Sequence, residues 1–392
     1  MDRDVEPVVQ WLIDGARSAT RPEDVLGMLC DRVLACGIPL WRAAVFVRTL
    51  HPNVAGRRFE WQYGKDVSVS ELPYQALDEA TFVGSPIPRV CQTALPIRCY
   101  LGAAPQDSDF PALEPLRAEG VTDYWVTPLL FSNGEVHVAS WATRQADGFT
   151  EEELRGIERL LAPLARVAEI HALRRTAINL LDAYVGRRSG ERILAGAIRR
   201  GDTETIHAAI WLSDMRGFTP LADRLPPAQL LAILNRYFDC QIPAIIRHGG
   251  EILKFIGDGL LAIFPIEGTN VAAVCSAAIA AAQEASAALA AIAAAPEAAM
   301  GGVRFGIALH LGEVEYGNMG GEKRLDFTCI GPAINLAARL EKLTGKVSRP
   351  IVASAAFAAQ CPTPLLQIGE FTLVGFARPE RVFTLPNGPT IQ

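Results

Sequence analysis

The stretch EILKFIGDGLLAIFP, residues 251–265, limits the fold more than any other part of this chain. Two apolar runs of strand length flank Gly257-Asp258-Gly259, and a joint that short allows only a hairpin with an acid at its tip. A second apolar run, AAIWLSD, ends on Asp214 and leads into the turn MRGFTP. If the two strands are neighbours in one sheet, Asp214 and Asp258 converge although they are far apart in sequence. Two carboxylates together suit hard divalent cations, which prefer oxygen ligands. The turn Gly217-Phe218-Thr219 opens a helical stretch, so its free backbone N–H groups suit phosphate oxygens. Taken singly, either aspartate is an ordinary turn residue.

Lys254 stands four residues before Asp258 in an apolar run, and equal strand parity predicts a shared face. A lysine so placed needs a polar partner, either a core carboxylate or a ring acceptor of a ligand. Asn335 and Arg339 lie four apart in INLAARLEKL and so stack on one helix face. An amide and a guanidinium there can hold a ribose and a phosphate together, although a solvated arginine is the ordinary reading.

The chain has 392 residues, half of them hydrophobic, and a net charge of −6. That length suits two domains with a linker. The acidic balance gives no electrostatic footprint for nucleic acid or an anionic membrane. The start, MDRDVEPVVQW, does not read as a secretory leader, and the alanine-rich stretch 271–300 reads as a packed helix rather than a span. A cytoplasmic protein is the expectation. The eight cysteines, with no CxxC pair, read as reduced thiols.

Three segments follow: 1–170, a helical linker at 171–205, and 206–386. In the first, WRAAVFVRTL reads as a strand, 51–120 resists assignment, and Ser132-Asn133-Gly134 between apolar runs predicts a hairpin. Thr150 with Glu153 predicts a capping box opening a terminal helix. The linker reads as a helix, a break, a short helix and a turn. The third mixes strands with helices and predicts an α+β fold, helices over a mostly antiparallel sheet.

WLSDMRGFT, ILKFIGDGLLAIF and RLDFTCIGPAINLAARLE, in that order, resemble the class III adenylate/guanylate cyclase catalytic domain over about 206–386. The resemblance implies a ferredoxin-like core and specific roles. Asp214 and Asp258 would be the metal carboxylates, with the Met215 carbonyl as a further ligand to two Mg²⁺ or Mn²⁺ ions per site. Lys254 and Thr328 would select adenine, so ATP is the expected substrate and 3′,5′-cyclic AMP and pyrophosphate the products. Asn335 would orient the ribose, and Arg339 would stabilise charge on the α-phosphate. The site is shared in that family, so a head-to-tail homodimer is implied. One departure is Val374 in LVGFARPERV, where many relatives carry a lysine contacting the triphosphate; Arg378 or Arg381 could compensate. A catalytically weak nucleotide-binding scaffold and a guanylate cyclase are the alternatives. A diguanylate cyclase is disfavoured, because Ile256-Gly257-Asp258-Gly259 is not its Gly-Gly-Asp/Glu-Glu-Phe tip.

VTPLLFSNGEVHVASWATRQADGFTEEELRGIERLLAPLA resembles the C-terminal half of a GAF domain. That implies a sensor of a small-molecule ligand, or a dimerisation platform without one. Cys91, Cys99 and His137 are the residues that could hold a chromophore or haem; structural thiols and a core histidine are the ordinary reading.

Overall fold

The computed structural model describes residues 4–102, 110–268, 270–293, 303–322 and 324–386. It divides into two compact units, Met1–Ala183 and Tyr184–Gln392.

The first unit is built on six antiparallel strands: β1 (Arg42–Arg48), β2 (Val54–Gln62), β3 (Ser68–Pro73), β4 (Ile97–Tyr100), β5 (Asp123–Leu130) and β6 (Val136–Thr143). Their order is β3-β2-β1-β6-β5-β4. Strand alternation divides their side chains between two cores. Val45, Val47 and Phe59 join the helices on one face. Phe46, Tyr124 and Val138 pack with shorter segments on the other. The predicted hairpin is β5–β6, whose last pair is Leu130 with Val136. Gly134 takes a positive φ of 85° in its turn, where a Cβ would be disfavoured. The capping box is present: Thr150 N–H donates to Glu153 Oε2 at 2.7 Å, and Glu153 N–H to Thr150 Oγ1 at 3.3 Å. It opens a long helix, Glu151–Val185. The unassigned stretch after residue 50 holds β2, β3 and several short helices.

The second unit carries β7 (Thr203–Arg216), β8 (Glu251–Ile256), β9 (Gly259–Pro265), β10 (Arg304–Gly321), β11 (Arg324–Ile330), β12 (Ile351–Ser354), β13 (Leu366–Phe371) and β14 (Glu380–Thr384). Their order is β13-β14-β12-β10-β7-β9-β8, with β11 on β10. Every pairing is antiparallel except β10 with β12. The α+β expectation therefore holds for this unit. Trp211, Ala262 and Phe264 face one core with the alanine-rich helix Val271–Ala293. That helix is long and apolar enough to cross a membrane by length and composition, yet Cys275, Ala278, Ile279, Ala282 and Leu289 pack into this core. Ile210, Leu261 and Leu253 face the opposite core with Ala333 and Ala337 of the helix Pro332–Lys346.

Gly186 breaks the chain after the long helix with φ 84°, and a short helix, Arg187–Leu194, follows. It is fastened to the second unit. Ser189 donates through its N–H and hydroxyl to Glu251 Oε1 at 3.2 and 3.1 Å. Arg188 pairs with Glu267, and Arg192 with Glu204. The Arg192 guanidinium also lies 5.5 Å from the ring centre of Tyr316.

Candidate active site

β7 and β9 are hydrogen-bonded neighbours, with Ser213 opposite Leu260, and Ile256 closes the β8–β9 hairpin against Gly259. This register brings Asp214 beside the hairpin loop that carries Asp258. Gly259 sits between them: a Cβ there would lie 3.0 Å from the Ser213 carbonyl and 3.2 Å from Asp214 Oδ1. Only a residue without a side chain leaves that approach open. Two burdens fall on Asp214. Burial, and then the Asp258 carboxylate, push its carboxyl up to about 6, against the pull of Arg216 and the Met215 N–H.

Asp258 is the second residue of a two-residue loop, so strand parity does not govern it. Parity fails for Lys254 as well. A bulge lies between Ile252 and Lys254, so that Ile252 pairs with Ala262 but Lys254 with Leu261. The extra residue, Leu253, enters the core under the helix Pro332–Lys346. Lys254 stays on that same face and meets Asp326 Oδ2 at 3.2 Å. The face is fixed by its neighbours: Phe255 turns the other way, with ring centres 4.6 Å from Phe238. Asp214 shares the Lys254 face by alternation. Ser213 before it bonds Gln241 on the far side, and Met215 after it is buried there.

Thr328 lies two residues beyond Asp326 on β11, on the same side of the strand. It is buried, and its Oγ1 has no hydrogen-bond partner among the described residues. An orphaned hydroxyl costs on the order of 1–3 kcal/mol unless something completes it. Asn335 is exposed and Arg339 half-buried. Ala333, Ala337 and Leu340 take the buried face of their helix. No hydrogen bond joins Asn335 or Arg339 to Asp214, Asp258 or Lys254 among the described residues.

The remaining expected residues fall nearby. Gly217 takes φ 76° at the end of β7; Phe218 packs on the alanine-rich helix's core, and Thr219 is exposed. Val374 is 78% exposed. All eight cysteines are free thiols. His137 is a core histidine: Nδ1 accepts from Arg48 N–H at 3.1 Å, and burial lowers its pKa.

Sequence reading missed two partners. Asp326 is one, visible afterwards as the acid two residues before Thr328 in LDFT. Arg216 is the other. It turns from the Asp214 end of β7 to Glu341, reaching Oε1 at 2.5 Å and the backbone carbonyl at 2.8 Å, and it also bonds Thr344. Burial pushes Glu341 up to about 7 despite that partner.

The arrangement therefore offers a hard-oxygen pair, a lysine fixed by an acid, and an unsatisfied hydroxyl on one sheet. Among the described residues no cluster of three His, Cys, Asp or Glu forms a ready metal cage, so any cation here would draw on the pair and on backbone or ligand oxygen. That donor set fits magnesium or manganese, and the mutual repulsion at Asp214 is what a cation would relieve.

Comparison with known proteins points the same way. An adenylate cyclase of Anabaena cylindrica is 31% identical over 150 residues, covering 38% of this chain and 29% of that one. Adenylate cyclase 1 of Rhizobium meliloti is 32% identical over 154 residues, or 38% and 22%. An uncharacterized protein of Mycobacterium tuberculosis is 34% identical over 172 residues, or 43% and 31%. The chain thus spans less than a third of the length of these relatives. A bacterial light-regulated adenylyl cyclase of known structure shares the fold at 21% identity and a TM-score of 0.51, covering 68% of this chain and 85% of that one. Residues 202–359, which hold Asp214, Lys254, Asp258, Thr328, Asn335 and Arg339, match the adenylate and guanylate cyclase catalytic domain family.

Proposed function

We propose that the second unit is the catalytic unit of an adenylate cyclase, converting ATP to 3′,5′-cyclic AMP and pyrophosphate. The observation that carries this reading is the forced approach of Asp214 and Asp258 beside Gly259, on the sheet face that also bears Lys254. Two Mg²⁺ or Mn²⁺ ions held by Asp214, Asp258 and the Met215 carbonyl would supply an acidified ribose hydroxyl and neutralise the triphosphate. The chain's own groups do the rest. Lys254 only donates, so it suits adenine N1, which accepts, and not guanine N1, which carries a hydrogen. Asp326 holds that ammonium in place. The Thr328 hydroxyl finds in the adenine amino group the partner it lacks. Asn335 orients the ribose and Arg339 stabilises charge on the α-phosphate, a preorganised electrostatic role.

Asn335 and Arg339 stand away from their own helix's buried face without a hydrogen-bond or ion-pair partner among the described residues, which suits service to a site on a second copy. A head-to-tail homodimer is the form we propose. Supporting it, Ile170, Leu173, Ala177, Leu180 and Tyr184 follow the 3-4 spacing of a coiled-coil seam along the long helix. Ile170, Leu173 and Tyr184 are 63%, 61% and 82% exposed. In this reading the first unit is a GAF-like sensor. Its long helix runs into the short helix Arg187–Leu194, which grips β8 three residues from Lys254.

The test is a matrix of ATP and GTP with Mg²⁺ and Mn²⁺ on the purified full chain. Cyclic AMP as the main product, lost in Asp258→Ala, is the expected result; absence of any cyclic nucleotide under both metals rejects the reading. The exposed, uncharged Val374 favours one second reading, a nucleotide-binding scaffold of low turnover. ATP binding by calorimetry without product would select it.

A further inference from the structure

The first unit carries a half-open cavity of about 360 Å³ between the long helix, the start of the helix Pro22–Ala35 and the β1–β2 pair. It lies on the helix-covered face of the sheet. A smaller cavity of about 270 Å³, lined by Phe46, Arg58 and Tyr124, lies on the other face. The larger cavity's walls are apolar: Val25, Leu26, Val45, Phe59, Leu164 and Val167 all line it and are all buried. Its rim is cationic. Arg21, Arg48, Arg57, Arg174 and Arg175 line it, and Glu23 is the one acid among the lining residues.

Two of those arginines are already neutralised. Arg21 pairs with Glu23 and Asp24, and Arg57 pairs with Glu71. Arg48, Arg174 and Arg175 have no carboxylate partner among the described residues. Arg175 is the sharpest case, because its Nε is buried and lacks a hydrogen-bond partner among the described residues. The Arg174 and Arg175 guanidinium groups thus line the mouth of an apolar cavity without a carboxylate, and a bound anion would supply one. Thr49 of the lining accepts at its Oγ1 from the Asn179 amide at 3.1 Å.

We propose that this cavity binds an aliphatic carboxylate, its chain against the valine and leucine walls and its head on Arg174 and Arg175. The buried part of the wall is aliphatic and aromatic, which suits a hydrocarbon chain. A cavity of about 360 Å³ has room for an aliphatic chain of medium length. The site belongs to the first unit alone, so it does not depend on what the second unit catalyses.

Dodecanoate titrated into the full chain by calorimetry tests this, with dodecan-1-ol as the uncharged control and thermal melting as a second readout. Saturable binding of one dodecanoate per chain is expected, with a rise in melting temperature and at least tenfold weaker binding of the alcohol. Arg174→Gln/Arg175→Gln together should weaken dodecanoate at least tenfold and leave the alcohol unchanged. Ala172→Trp, which fills the cavity from its half-buried wall, should abolish both. Circular dichroism of each variant shows that the fold is kept. No saturable binding to the unaltered chain overturns the proposal. So does equal affinity for acid and alcohol, or binding that survives in folded Ala172→Trp. A second copy of the chain already filling the cavity would appear as binding only after dilution to monomer, and would overturn it too.

Discussion

Asp123 in the first unit and Asp214 in the second are both aspartates on strands of an antiparallel sheet, and they are treated in opposite ways. Asp123 is completely buried and fully partnered. It accepts from Arg98 Nε at 3.1 and 3.2 Å, from Arg98 Nη2 at 2.7 Å, and from the Phe149 N–H at 2.9 Å. Its carboxylate ties β4 and β5 to the segment that opens the long helix. Asp214 has Asp258 where Asp123 has Arg98, and its carboxyl is pushed up to about 6. One acid is spent on holding the fold. The other is held at a cost that a proton or a cation would relieve, and such costs mark sites of function.

Asp258→Asn breaks this contrast most severely. It removes half of the oxygen pair, so cyclic AMP formation should fall by at least about 10³, roughly 4 kcal/mol of barrier. The same change should stabilise the metal-free protein at pH 7.5. Asp214 has a folded pKa raised from 3.8 towards 6, so its ionisation weakens the fold as pH rises through that window. Without Asp258 the window narrows. Urea denaturation with EDTA at pH 4 and 7.5 should show the variant's advantage only at the higher pH. Loss of stability at pH 7.5 would show that the pair is structural.

Asp123→Ala should do the reverse. Arg98 would lose the acid it encloses, at a cost of about 3 kcal/mol for breaking a buried pair. The first unit should melt early in differential scanning calorimetry, ahead of the second. Nucleotide turnover per folded molecule should stay within a few-fold. A turnover collapse in still-folded protein would mean that Asp123 reaches the chemistry.

What the sequence disclosed divides along the same line. The β8–β9 hairpin, the β5–β6 hairpin and the Thr150–Glu153 capping box were legible because each is set by residues within a few positions. The α+β class of the second unit followed from alternating strand and helix patterns. The bulge that places Leu253 and Lys254 on one face was not legible, since it depends on how β8 meets β9. Arg216 with Glu341, and Lys254 with Asp326, join residues far apart in the chain, and no local pattern pairs them. β2 and β3 escaped because VAGRRFEWQ is half polar and SVSELP lies at an exposed edge.

Asp326→Asn tests that non-local pair. Lys254 would keep its charge but lose its anchor, and kcat/KM for ATP should fall about tenfold, or 1.4 kcal/mol. The ratio of ATP to GTP turnover should shrink with it. An unchanged ratio would leave Asp326 as a surface acid with no part in choosing the purine.

The smallest effect is expected where the short helix meets β8. Glu251 is raised by burial, and the hydroxyls of Tyr316 and Ser189 pull it back down. Tyr316 donates to its Oε1 at 2.9 Å, while its Oε2 has no hydrogen-bond partner among the described residues. Ser189→Ala removes one donor, and the folded pKa of Glu251 should rise further. A raised carboxyl weakens the fold as pH climbs above its unfolded value near 4.5, so the loss must grow with pH. Chemical denaturation should show little change at pH 4.5 and about 1 kcal/mol of destabilisation at pH 8. The helix would loosen on β8 three residues from Lys254, so basal turnover should shift while the pH profile of kcat does not. If the destabilisation is the same at both pH values, Ser189 acts through packing and the grip on Glu251 is incidental.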